Sequence, residues 1–153
     1  MEAPVRIAEQ ICLLSARVFG TLAMGEAFDG GGGLIYLVIG LFAAGGALLR
    51  WGVVEKMTLL GWWPWGTLLV NVLGSFLVGG IYVLASELHL LSPFWRDGLM
   101  IGLCGALTTF SSFSLDIFRL MEDQLWGPAI LVILLNNSLA VAACALAIWA
   151  LRA

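Results

Sequence analysis

Charged side chains divide the sequence into long apolar runs. No Asp, Glu, Lys or Arg falls within residues 30–49, 57–86, 98–115 or 124–151. Crossing a bilayer takes roughly 20 apolar residues in a helix, with a range of about 17–25. Soluble helices average about 10–14 residues, and one long apolar run can be a buried core helix. Four in succession predict four membrane spans, at about 34–50, 65–86, 98–120 and 127–151. Their edges carry interfacial signals: Arg50-Trp51 after the first, Trp62, Trp63, Pro64 and Trp65 before the second, Trp126 and Pro128 at the fourth. Tryptophan favours the headgroup level, and an arginine can extend its charge to it.

Composition agrees. Hydrophobic residues make up 61% of the 153 residues and charged ones 11%, against about 25% charged in soluble domains. The fold class expected is therefore an all-α membrane protein, with no repeat and no second domain. Residues 1–33 form an N-terminal extension. Ile7, Ile11, Leu14 and Val18 recur at helical spacing, so this stretch reads as a possible interfacial helix ending in the Gly30–Gly33 joint. The competing reading is a dispensable extension, with Met24 as a start. Acidic residues interrupt it, which argues against a secretory signal peptide. Cys12, Cys104 and Cys144 form no CxxC pair, and His89 is the only histidine. Enzyme chemistry has few groups to draw on.

Four spans put the N-terminus, the 87–97 loop and the C-terminus on one side. That side carries Arg6, Arg17, Arg96 and Arg152; the other carries Arg50, Lys56 and Arg119. Lysine and arginine bias normally fixes orientation, and this chain has almost none. Insertion in both orientations is expected, and two copies could then pair around a twofold axis in the membrane plane.

Polar residues inside the spans carry the functional signal. Thr67, Asn71 and Ser75 are spaced by four and share a helix face. Threonine and serine can bond to their own preceding turn, but an asparagine amide needs an outside partner, either a neighbouring helix or a wet cavity. The third span concentrates five hydroxyl residues, Thr108, Thr109, Ser111, Ser112 and Ser114, within seven positions, just after Gly102 and Gly105. A break near Gly105–Thr108 is expected. Broken backbone is tolerated in a membrane only inside protein or beside water, and transporters use it to build ion sites. Phe110 and Phe113 share a face there; besides ordinary packing, their electropositive ring edges could meet a small anion. Asn136 and Asn137 splay about 100° apart on the fourth span, so one can serve a pore and the other a helix interface; Asn136 is the pore choice. No ionisable group lies deep in a span, which argues against a proton-coupled carrier.

Three stretches carry a family resemblance: Gly45-Gly46-Ala47-Leu48-Leu49-Arg50-Trp51, Gly66-Thr67-Leu68-Leu69-Val70-Asn71-Val72-Leu73-Gly74-Ser75-Phe76, and Gly102 to Phe113. From about Leu34 onward the sequence resembles the CrcB/Fluc fluoride channels. The resemblance implies four transmembrane helices with the third broken near its middle, assembled as an antiparallel dual-topology dimer with two fluoride pores. It implies that Phe110 and Phe113 supply ring edges and Asn71 a pore-lining amide. Thr109, Ser112 and Asn136 join them in the expected pore lining, with Arg50, Thr67 and Ser75 as structural or vestibule residues. It also implies a sodium ion at the dimer centre, held by backbone carbonyls of Gly105 and Thr108 from both subunits. The partner is a second copy or a homologous unequal subunit. Two positions depart from the family pattern: Ala106 replaces a usual glycine, and Val132 and Asn136 stand where a tyrosine and a serine are frequent.

Two rival readings compete with this one. A small dual-topology multidrug exporter requires a carboxylate in the first span, and 34–49 has none. A non-transporting membrane scaffold explains the glycines and asparagines as helix glue but not the hydroxyl cluster.

Overall fold

The computed structural model describes residues 32–59, 61 and 63–153. The chain divides into Met1–Tyr36 and Leu37–Ala153. The expected interfacial helix and the first half of the glycine joint lie outside the described residues. Gly32 and Gly33, the second half of that joint, are helical.

The elements are α1 (Gly32–Thr58), α2 (Trp65–Tyr82), a π-helical turn (Val83–Glu87), α3 (Pro93–Asp97), a π-helical segment (Gly98–Cys104), α4 (Gly105–Leu107), α5 (Phe110–Glu122) and α6 (Trp126–Arg152). They make four stretches long and apolar enough to cross a membrane: Gly32–Thr58, Trp65–Glu87, Pro93–Glu122 and Trp126–Arg152. The first outruns its predicted end at residue 50 because nothing from Trp51 to Thr58 breaks a helix. It stops only near Gly61, whose φ of 120° lies in the left-handed region that a side chain disfavours. Pro64 then leads into α2.

Glycines set the distances between spans. A Cβ on Gly46 of α1 would sit 2.3 Å from the Leu103 carbonyl oxygen, and one on Gly102 would sit 2.7 Å from the Ile39 carbonyl oxygen. The first and third spans therefore meet backbone to backbone, each contributing a glycine. Gly79 of α2 makes a similar approach to α6, 2.5 Å from the Cys144 carbonyl oxygen, and α2 and α6 form the most extensive helix pair described. Small residues serve this purpose in membranes, where lipid offers no hydrophobic drive for association and close van der Waals contact must supply it. The principal buried cluster joins Phe113 and Leu120 of α5 to Ala129 and Val132 of α6. Where the π-helical turn and α6 end, Arg152 pairs with Glu87, Nε to Oε2 at 2.9 Å.

Candidate functional site

Helical geometry stops inside the third span. Gly105 keeps helical angles (φ −62°, ψ −34°). Thr108 (φ −77°, ψ 152°) and Thr109 (φ −151°, ψ 122°) are extended, and α5 begins at Phe110. The extended residues thus lie at Thr108–Thr109, at the C-terminal edge of the region the sequence singled out. A helical ladder cannot cross two extended residues. The carbonyls of Gly105, Ala106 and Leu107 consequently lose their usual partners four residues on.

Side chains around this point take up the freed Thr109 and Ser112 N–H groups. The Thr108 hydroxyl donates to the Cys104 carbonyl at 3.0 Å. Thr109 caps α5: its Oγ1 accepts from the Ser112 backbone N–H at 3.1 Å and also lies 3.1 Å from the Ser112 hydroxyl. Asn71 of α2 reaches across to both polar groups of Thr109. Its Oδ1 accepts from the Thr109 N–H at 2.7 Å, and its Nδ2 donates to the Thr109 carbonyl at 3.1 Å. The same Nδ2 donates to Oδ1 of Asn136 on α6 at 3.0 Å. Gly74, one turn along α2, permits the approach, since a Cβ there would lie 2.3 Å from the Thr108 methyl. Asn71, Thr109 and Asn136 are each 7% exposed, so three spans converge on one buried polar knot.

Two cavities lie beside the knot. A cavity of about 330 Å³ opens among Trp63, Thr67, Asp116, Arg119, Asp123 and others. A narrower one, with about 10 Å³ of room, shares Trp63, Pro64, Thr67 and Asp116 with it and ends on Phe113, Val132 and Asn136. That is space for about one water-sized particle. Thr67 donates to Asp116 Oδ2 at 2.6 Å.

The predicted site residues are thus unequally placed. Thr67, Asn71, Thr109 and Asn136 come together; Ser112 joins them through Thr109. Phe110 and Phe113 are neighbours, with ring centroids 5.5 Å apart, yet Phe113 is 4% exposed and Phe110 76%. Phe113 belongs to the subunit's core, whereas Phe110 faces outward, as do Gly105 and, in part, Thr108. Arg50 and Ser75 are half-buried on α1 and α2. Asn137 is exposed and donates to the Ile133 carbonyl of its own helix at 2.7 Å, which separates its role from that of Asn136. Sequence reasoning passed over Asp116. It lies inside the third span, predicted at 98–120 and observed to run to Glu122. Its position three residues after Phe113, on one helical face, was the available signal. Among the described residues no cluster of His, Cys, Asp and Glu could hold a metal ion.

Comparison with known proteins gives a consistent result. Residues 37–148 match the family model described as CrcB-like protein, Camphor Resistance (CrcB). A protein of Marinobacter nauticus named fluoride-specific ion channel FluC is 42% identical over 106 residues, covering 64% of this chain and 79% of the relative. Its namesake in Saccharophagus degradans is 41% identical over 116 residues, 75% of this chain and 87% of the relative. That of Aeromonas salmonicida is 46% identical over 105 residues, 65% and 84%. The chain is a multi-pass membrane protein that belongs to the CrcB-like family.

Proposed function

We propose that this chain is the subunit of a fluoride-selective channel that lets cytoplasmic fluoride leave passively down its gradient and so reduces its toxicity. The observation that carries the reading is the buried knot of neutral polar groups at the interrupted third span, in a chain whose relatives are named fluoride-specific ion channels. A small anion stripped of water needs hydrogen-bond donors, yet a full positive charge would hold it too tightly to release. Thr67 and Asn136 offer neutral groups in the cavity lining, and Asn71, Thr109 and Ser112 stand in the knot beside it. Phe113 and Phe110 add ring edges, which carry the positive end of the aromatic quadrupole.

The working unit in this reading is an antiparallel dual-topology dimer. The balance of cations supports it: Arg96 and Arg152 flank one side of the described spans, and Arg50, Lys56 and Arg119 the other. The exposed Phe110 and Gly105 would then face the second copy. A structural sodium ion fits the same surface. The carbonyls of Gly105 and Thr108, which lack helical partners at the interruption, are hard oxygen donors suited to such a cation, and two copies would supply a set from both sides. Held there, the cation would pin the subunits together.

Efflux from liposomes holding the purified protein alone, with fluoride and chloride compared, tests the reading. Fluoride loss without chloride loss is the expected result. No fluoride loss from folded protein, with or without a homologous partner subunit, would refute it.

A further inference from the structure

The loop between the second and third spans carries a polar cavity that the fluoride reading does not use. Residues 88–92 join Trp65–Glu87 to Pro93–Glu122, so the loop lies where the chain leaves the hydrocarbon. Leu88, Leu90 and Trp95 are exposed around it, and a tryptophan at such a place favours the headgroup level. His89 turns the loop with a φ of 51°, in the left-handed region that histidine enters more readily than most residues. Beside this turn opens a cavity of about 620 Å³, lined by Ser86, His89, Ser92 and Arg96 among others. That is far more room than one water-sized particle takes, so a bare halide would not fill it and a polyatomic ligand fits.

The polar side chains of this cavity are uncommitted donors. Among the described residues, the Ser86 and Ser92 hydroxyls and the His89 imidazole have no hydrogen-bond partner. Arg96 gives its Nε to Asp97 at 2.8 Å, which holds the guanidinium in place and leaves both terminal nitrogens unspent. No Asp or Glu lines the cavity, and Glu87 beside it is taken by Arg152. Hydroxyl, imidazole and guanidinium donors with no carboxylate among them suit an oxyanion. The free edge of an arginine matches two oxygens of a phosphate. We propose that Ser86, His89, Ser92 and Arg96 form a binding site for a phosphate group at the membrane surface. The headgroup of an anionic phospholipid fits it by position, since the cavity takes the phosphate while Leu88, Leu90 and Trp95 offer apolar surface to the chains. Free phosphate has the same chemistry, and the test separates the two.

Native mass spectrometry of the full chain in detergent, titrated with phosphatidylglycerol or with diacylglycerol of the same chains, tests the proposal. Phosphatidylglycerol should be retained and diacylglycerol, which lacks the phosphate, should not. Arg96→Gln should weaken retention at least about tenfold, and Ser86→Ala combined with Ser92→Ala by about as much. Lys56→Gln removes a cation from the last turn of α1, away from the cavity, and should change nothing. Equal retention in the wild type and in both cavity variants, or an equal loss in Lys56→Gln, would overturn the proposal. Melting temperatures identify the source. A rise with phosphatidylglycerol but not with inorganic phosphate, absent in Arg96→Gln, assigns the site to the lipid. A rise with inorganic phosphate alone would overturn the lipid assignment in favour of free phosphate. None of these readouts involves fluoride, so their failure leaves the channel reading standing.

Discussion

Replacing Asn71 with alanine removes three hydrogen bonds at once, and their geometry allows the loss to be anticipated. The Thr109 N–H loses its acceptor at 2.7 Å, the Thr109 carbonyl loses a donor at 3.1 Å, and Asn136 Oδ1 loses a donor at 3.0 Å. Thr109 is extended and 7% exposed. Its N–H cannot return to a helical partner, and leaving it unpaired costs about 1–3 kcal/mol. The two acceptors lose less, because the Thr109 carbonyl still receives from the start of α5 and Asn136 can turn to reuse its own amide. Hydrogen bonds between membrane helices contribute about 0.6–2 kcal/mol each. The sum expected is about 2–4 kcal/mol, reduced if one water enters the vacated space. The loss is local, so amide hydrogen exchange followed by mass spectrometry is the assay. The Thr109 amide should exchange about 30- to 700-fold faster in Asn71→Ala, at about 1.4 kcal/mol per tenfold. Amides in the middle of α6 should be unaffected. Exchange at Thr109 unchanged within about threefold would refute the reasoning, since Asn71 could then not be the group that holds that N–H.

Other expectations follow from packing. Gly46→Ala places a methyl 2.3 Å from a backbone oxygen and should destabilise by at least about 1–3 kcal/mol in detergent unfolding. Gly52→Ala meets nothing within 4 Å and should be neutral or stabilising by up to about 1 kcal/mol, the helix-propensity difference. Phe113→Ile should lower the melting temperature, because Phe113 is buried within the subunit; on the proposed reading, the double variant Phe110→Ile with Phe113→Ile should abolish fluoride efflux. Glu87→Gln breaks an exposed ion pair with Arg152 and should leave the melting temperature within error, as surface pairs usually do.

The sequence by itself determined the solvent and the count of spans. Whether a run of residues can sit in lipid is close to a sum over its side chains, so uncharged runs such as 57–86 and 124–151 reported it directly. It also marked Asn71 as needing a partner, because an amide cannot fully satisfy itself within one helix. The identity of that partner was not legible. Asn71 meets Thr109 and Asn136, 38 and 65 residues away, and helical periodicity describes only one helix at a time. The same limit applies to the phenylalanines: spacing of three put Phe110 and Phe113 together, but only the packing of α5 on α6 buried one and left the other exposed. Asp116 falls within the predicted third span, but its partner was not legible: Thr67, 49 residues away, donates to it at 2.6 Å. These outcomes depend on how closely and at what register the helices approach. Backbone contacts at Gly46, Gly74, Gly79 and Gly102 set that approach, and a difference of one methyl group there decides which polar atoms can touch.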